Sequence, residues 1–278
     1  MSRDRVPASN APSGRLVAVV LAGGDRDDRL ARTVGAESKA LVPLRDVPMG
    51  AYVATALRAS GVVDDVVWVG PTDGRVRRLV DAALPAGDRL VDSLTLGLGA
   101  AMGRDPTARY LIVTADIPWW DAEGVRAFVR DAPVADLVYP VVSEATALAR
   151  FPDQKRTFVR LADGRFTGGN AVLLSPRAVP ALLPFVDLAY EARKQPFALA
   201  RRVGWGTLLA LATGRARLAG IQERVRTLLG LDARVFVSDD AAIAADVDHP
   251  EHLPGTLGLP PLVEPTLPDP PPATIAGA

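Results

Sequence analysis

The chain of 278 residues predicts an α/β fold, a doubly wound and mostly parallel sheet carrying a small β-hairpin and helical part in its second half. Three observations carry this. Short apolar runs alternate with amphipathic stretches up to about residue 130, the pattern of strands linked by crossover helices. The first run, residues 17–22 (VAVVLA), is continuously apolar, as a strand covered on both faces requires. After residue 156 the pattern changes to a hairpin signal and then to a mainly helical one.

In order, residues 1–14 form a polar, Pro/Ser-containing leader without an apolar core, expected to be disordered. Strand 16–22 ends abruptly at Gly23-Gly24. Residues 49–59 carry apolar side chains at helical spacing, 65–69 (DVVWV) read as the second strand, and 73–83 and 93–102 as amphipathic helices. Residues 108–114 (ARYLIVT) are the next buried strand, 125–130 lie on a helix, and 136–142 (DLVYPVV) return to strand. A hairpin is expected over 157–161 and 165–167, turning at Asp163-Gly164, then a strand at 171–174. Residues 177–229 read as mainly helical and 234–237 (RVFV) as a last strand. The tail from residue 254 is Pro-rich without periodic apolar residues and is expected to be disordered.

Composition narrows the function classes. With 49% hydrophobic residues and a mean hydropathy of +0.16, the chain can bury a sizeable core, as one large α/β domain over residues 15–253 or one domain with an insert. The balance of 32 basic against 32 acidic residues gives no electrostatic case for nucleic acid or an anionic membrane as partner. Cysteine is absent, so disulfides and thiolate metal sites are excluded. No run approaches the roughly 18 apolar residues of a membrane span, and a cytoplasmic location is expected. Three lysines stand against 29 arginines, so a lysine is a position to ask about, and Lys39 is the only one before Lys155.

Two constellations carry chemistry. Leu21-Ala22-Gly23-Gly24 closes the first strand, and paired glycines let a ligand approach backbone amides. Arg26, Arg29 and Lys39 bring positive charge to the carboxyl end of that strand, where open α/β sheets bind ligands. The residues alone fit either a phosphate-handling loop or an ordinary strand-to-helix turn. Thr114-Ala115-Asp116-Ile117-Pro118 follows the buried strand 108–114, so Asp116 either holds Mg²⁺, which favours oxygen ligands and bridges to phosphates, or caps a turn. Asp246 and Asp248 lie in a second acidic cluster after the last strand, where Asp248 is a second candidate ligand or a helix N-cap.

Together these motifs resemble the MobA-like nucleotidyltransferases, which share a GT-A-type Rossmann-like fold with nucleotide-diphospho-sugar enzymes. The resemblance covers roughly residues 15–253 and rests on LAGG (21–24) with Arg29, SKALVPLRDVPM (38–49), TADIP (114–118), TGGN (167–170) and DVDHPEHL (246–253). It implies an Mg²⁺-dependent transferase that moves a nucleoside monophosphate from a nucleoside triphosphate to a small phosphorylated acceptor and releases pyrophosphate. It further implies triphosphate contacts from Leu21, Ala22, Gly23, Gly24, Arg29 and Lys39, and a nucleobase contact near Ser93. Metal ligation falls to Asp116 and Asp248, and catalytic charge to Lys39, Arg29 and Asp116. The first loop reads Gly-Gly-Asp-Arg-Asp-Asp-Arg where the family has G-G-x-G-x-R, so Asp27 and Asp28 must point away from the phosphates.

An acceptor carrying a phosphate brings its own nucleophile, so no histidine base is required, and His249 and His252 sit in the terminal motif. The acceptor is expected on the hairpin side, against Arg156, Thr157, Gly169 and Asn170, with Arg150 and Lys155 nearby and Arg156 on the acceptor's phosphate, although the same basic residues also fit a solvated surface strand with incidental charge. Removing Lys39 is expected to weaken triphosphate binding with the melting temperature nearly unchanged. Two other classes fit less well. A GT-A glycosyltransferase would carry a D-x-D metal site in the middle of the sequence, which TADIP is not. A non-catalytic nucleotide-binding regulatory protein would suit the irregular first loop. A Rossmann dehydrogenase is disfavoured because no G-x-G-x-x-G follows the first strand.

Overall fold

The computed structural model describes residues 14–24, 28–154, 156–192, 205–248 and 258–262. Expectations for the leader 1–13, Arg26, Asp27, Lys155, His249, His252 and the tail on either side of 258–262 lie outside the described residues. The first half runs β1 (Leu16–Leu21), α1 (Arg29–Val34), a 3-10 turn Lys39–Leu41, a small hairpin of β2 (Pro43–Leu44) and β3 (Val47–Pro48), α2 (Met49–Ala59), β4 (Asp65–Val69), α3 (Gly74–Leu79), β5 (Ala82–Leu84), α4 (Leu90–Arg104) and β6 (Arg109–Thr114). The second half continues with α5 (Ala122–Asp131), β7 (Leu137–Ser143), α6 (Glu144–Arg150), β8 (Val159–Leu161), β9 (Gly164–Gly168), β10 (Ala171–Leu174), α7 (Val179–Ala192), α8 (Trp205–Ala212), α9 (Leu218–Leu229) and β11 (Ala233–Ser238).

Among the described residues nine strands form one sheet in the order β5-β4-β1-β6-β10-β7-β9-β8, with β11 also paired to β7. Strands β5, β4, β1 and β6 are parallel neighbours. β10 runs antiparallel to both β6 and β7, β9 antiparallel to β7, and β11 parallel to β7. The mostly parallel, doubly wound sheet is therefore as the apolar runs predict. Successive residues of β1 go to opposite faces: Leu16, Ala18 and Val20 join the side that holds Tyr52, Val125 and Phe128 of α2 and α5. Val17 and Val19 join the side that holds Leu94 and Leu98 of α4. Both layers are buried, which is why the run reads as continuous rather than alternating. Helix α4 can sit this low on the sheet because residue 97 is glycine; a Cβ there would lie 2.4 Å from Cγ1 of Val19.

Three expectations change. The helix expected over 73–83 stops at Leu79, because Val80 is extended (φ −123°, ψ 147°), and Ala82–Leu84 pair in parallel with β4 as an edge strand. Ala-Ala-Leu has helical propensity, and the sheet edge overrides it. The helix expected over 93–102 extends over Leu90–Arg104, started by Arg89, whose backbone N–H donates to the Asp92 carboxylate at 3.1 Å. The tail is not uniformly free of packing: Leu259 is 7% exposed within the core, and Pro260, Pro261 and Leu262 line a cavity of about 260 Å³ against α2 and α5. Among the described residues no helix is long and apolar enough to cross a membrane.

Candidate active site

The site forms at the carboxyl ends of β1, β4 and β6, where backbone bonds continue past the strands. Ala22 N–H donates to Val69 O at 2.8 Å and Ala115 N–H to Leu21 O at 3.1 Å, which holds the Gly23-Gly24 loop and the Asp116 loop side by side. Gly23 meets the loop after β5 so closely that a Cβ would lie 2.6 Å from Cβ of Ala86 and 3.8 Å from Oγ of Ser93. Gly24 has φ 66°, the left-handed region that glycine tolerates, and its ideal Cβ position lies 3.9 Å from Cβ of Lys39. The expected loop residues Leu21, Ala22, Gly23 and Gly24 are thus brought to Ser93 on one side and Lys39 on the other. Ser93 is buried and accepts from Gly87 N–H at 3.0 Å.

Arg29 is the first residue of α1 and is exposed. Asp28 caps that helix through Ala31 N–H at 2.8 Å, which turns its carboxylate into the helix end.

Three acidic side chains converge from distant parts of the sequence. One oxygen each from Asp116, Asp246 and Asp248 lies within 4.8 Å of the others. The convergence is fixed by backbone: Val247 N–H donates to Asp116 O at 3.0 Å, Asn170 N–H to Ile243 O at 2.8 Å, and Thr114 N–H to Asn170 O at 3.1 Å. Gly169 N–H donates to Pro140 O at 2.9 Å, so Gly169 and Asn170 are the stitch between β6, β7 and the terminal segment. Thr114 Oγ1 donates to Asp116 Oδ1 at 2.5 Å and orients that carboxylate.

Lys39 reaches into this cluster. Its Nζ donates to Asp116 Oδ2 at 2.7 Å and to Asp248 Oδ1, and its side chain is 12% exposed. Burial alone would lower the ammonium's pKa; the charges and hydrogen bonds of Asp116 and Asp248 outweigh it and raise the pKa, so Lys39 stays protonated. Asp246 is pushed up to about 7, first by burial and then by the hydrogen bond and charge of Asp248 and the charge of Asp116. Arg156 opposes that rise. It is ion-paired with Asp246, donates from Nε to Gln154 Oε1 at 3.2 Å, and has a side chain only 7% exposed. Gln154 Nε2 in turn donates to Asp246 O at 2.6 Å.

Lys39 therefore carries structural weight that the sequence reading does not anticipate, and a nearly unchanged melting temperature on its removal is no longer the expected result. Arg156, expected to meet an acceptor phosphate, is engaged with Asp246, and Thr157 beside it is exposed. Arg150 lies at the end of α6 and pairs with Asp240 at 2.7 Å, outside the carboxylate cluster. The contributions of Gln154 and Thr114 are missed by sequence reasoning, because neither residue type signals the role without the folded contacts.

Comparisons with known proteins bear on the family and the fold. A sequence model of the MobA-like NTP transferase domain matches residues 18–228. No curated protein matches the chain. Among solved structures, a hypothetical transferase from Thermus thermophilus is 40% identical, with a TM-score of 0.77 over 86% of this chain and 99% of that one. A CMP:2-keto-3-deoxy-manno-octonic acid synthetase complexed with CTP is 16% identical, with a TM-score of 0.52 over 87% of this chain and 96% of that one. A 4-diphosphocytidyl-2C-methyl-D-erythritol synthase from Anaerococcus prevotii is 8% identical, with a TM-score of 0.52 over 87% and 96%. The last two are likenesses of fold alone. With a family match over most of its length and a 40% identical transferase structure, the chain belongs to the MobA-like NTP transferase domain family of nucleotidyltransferases.

Proposed function

We propose that residues 15–253 transfer a nucleoside monophosphate from a nucleoside triphosphate to a small phosphorylated acceptor of the sugar- or polyol-phosphate kind, releasing pyrophosphate. The observation that carries this reading is the placement of Lys39 and three carboxyl groups beside a Gly-Gly loop at the carboxyl end of the sheet. The donor set is all oxygen, which suits Mg²⁺. Asp116 and Asp248 would hold the ion, with Asp246 the third carboxylate of the cluster. The bound ion would supply charge neutralisation at the α-phosphate.

The protein's own groups do the rest by positioning and charge. Gly23 and Gly24 leave room for phosphate oxygens at the loop backbone, Arg29 and Lys39 offset the charge of the departing pyrophosphate, and Ser93 borders the nucleobase. Thr157, Gly169 and Asn170 form the acceptor side. Arg156 joins it only by sharing its guanidinium with Asp246, so it serves both that carboxylate and an acceptor phosphate at the boundary between the two half-sites. No proton has to be removed from an acceptor phosphate, so the transfer requires no histidine base.

The test is pyrophosphate release with each of the four common nucleoside triphosphates, Mg²⁺ and a panel of sugar and polyol phosphates. Pyrophosphate formed only when acceptor and triphosphate are both present supports the reading. No product, or a nucleoside diphosphate released from a nucleotide sugar, overturns it.

A further inference from the structure

Lys39 and a divalent cation make claims on the same atoms. The ammonium bonds Asp116 Oδ2 at 2.7 Å and Asp248 Oδ1, two of the three carboxylates whose oxygens converge within 4.8 Å. An ion ligated at about 2 Å by those groups would sit within a few ångströms of Nζ, close enough for the two cations to repel. Formal charge points the same way. Asp116, Asp246 and Asp248 are offset in part by Lys39 and Arg156. With all three carboxylates ionised, adding a divalent cation while Lys39 stays in place makes the cluster net positive, whereas removing the lysine brings it to neutrality.

The lysine also has somewhere to go. Its Cβ lies beside Gly24, so rotation of the flexible stem carries Nζ from the carboxylates to the mouth of the Gly-Gly loop. The residue before it has an orphaned group: Ser38 is 2% exposed and its Oγ has no hydrogen-bond partner. Buried hydroxyls are rarely left so. A rearrangement of the 38–39 segment that follows the ammonium gives that hydroxyl an opportunity to pair.

Building on the transferase reading, we infer that Lys39 is an exchangeable counter-ion: it neutralises Asp116 and Asp248 while no divalent cation is bound, and leaves them for the triphosphate when one enters. Metal alone then binds against Lys39, and triphosphate relieves that competition by taking the ammonium. The two ligands strengthen each other through this one side chain, and the coupling is reciprocal.

Mn²⁺ serves as the probe, with binding to the full-length protein measured by titration calorimetry in the absence of nucleotide. Lys39→Met is expected to bind Mn²⁺ about tenfold more tightly than the unmodified protein, a factor within the usual range of site coupling. In the unmodified protein a non-hydrolysable triphosphate should tighten Mn²⁺ binding, and in Lys39→Met that enhancement should shrink. A second readout needs no variant: acetylation of Lys39, followed by peptide mass spectrometry, should speed up when Mn²⁺ is added, since the side chain leaves a site where it is 12% exposed. Equal or weaker Mn²⁺ binding by Lys39→Met, or unchanged or slower acetylation with Mn²⁺ bound, overturns the exchange while leaving the transferase reading intact. Failure of Mn²⁺ to bind either protein, with or without triphosphate, overturns the exchange and the metal-dependent transferase reading together.

Discussion

Replacing Arg156 with Met tests whether the guanidinium positions a carboxylate. The substitution keeps most of the apolar stem and removes the charge, leaving Asp246 without its ion pair and Gln154 without one donor. Breaking a fully buried pair costs about 3–5 kcal/mol; with Arg156 7% and Asp246 27% exposed, about 2 kcal/mol is the working figure. For a domain of this size that is a fall in Tm of roughly 4–8 °C. The sign with pH follows from Asp246. Its folded pKa of about 7 lies above the unfolded value, so its own contribution is fully present below the unfolded pKa and is lost as pH rises through 7. Arg156 holds that pKa down, and its removal lets it climb further. The cost of the substitution is therefore greatest at pH 8, where Asp246 is ionised in the native protein. At pH 5 the carboxyl is protonated in both proteins, and most of the difference should vanish. Thermal melts in EDTA at the two pH values provide the assay. An equal loss at both, or no loss at pH 8, refutes the reasoning, and a higher acceptor KM with Tm unchanged would assign Arg156 to the acceptor alone.

Three further outcomes are expected. Asp116→Asn should remain folded by circular dichroism and lose at least about a hundredfold in turnover, measured as pyrophosphate release, because one charge-stabilising element of a preorganised site is removed. Thr114→Val removes the 2.5 Å hydrogen bond to Asp116 Oδ1 and should weaken Mn²⁺ binding about tenfold by calorimetry, the usual scale for a partner that orients a metal ligand. Asp46→Gly should raise Tm by roughly 2–4 °C, since Arg45 and Asp46 form the β2–β3 turn with φ 49° and 64°, and relief of one left-handed residue, about 1–3 kcal/mol, exceeds the roughly 0.4–1 kcal/mol that a more flexible unfolded chain takes back.

The fold was legible wherever burial imposed a single pattern on the residues. Residues 16–21, 65–69 and 109–114 are covered on both faces, so their apolar runs are uninterrupted; the register of β1 with β4 and β6 does not follow from them, because a one-residue slip would leave both faces apolar. Strand β5 was not legible, because three residues of intermediate burial at a sheet edge carry no period and their pairing partner lies in β4. The packing of Leu259 was hidden for a related reason. A single apolar side chain in a Pro-rich stretch says nothing about a surface formed by α2 and α5, more than a hundred residues away.

At the site, residue types were legible and their connections were not. Gly23, Gly24 and Asp116 stand out because they follow buried strands, Lys39 because lysine is scarce, and Asp248 because it lies in an acidic cluster that resembles the family's terminal motif. Ion pairs across 77 and 209 residues of separation leave no local trace. Nor does the choice between Asp246 and Asp248, since the distinction lies in their partners: Asp248 meets Lys39, and Asp246 meets Arg156. A carboxylate held by a lysine on a flexible stem can be released to an ion. One held by a nearly buried arginine, whose neighbour Gln154 also bonds its backbone carbonyl, is fixed in place. Under the proposed exchange the two aspartates of the terminal motif would divide the work, Asp246 staying with Arg156 and Asp248 passing from Lys39 to the ion, and that division would depend on the cations facing them rather than on the aspartates themselves.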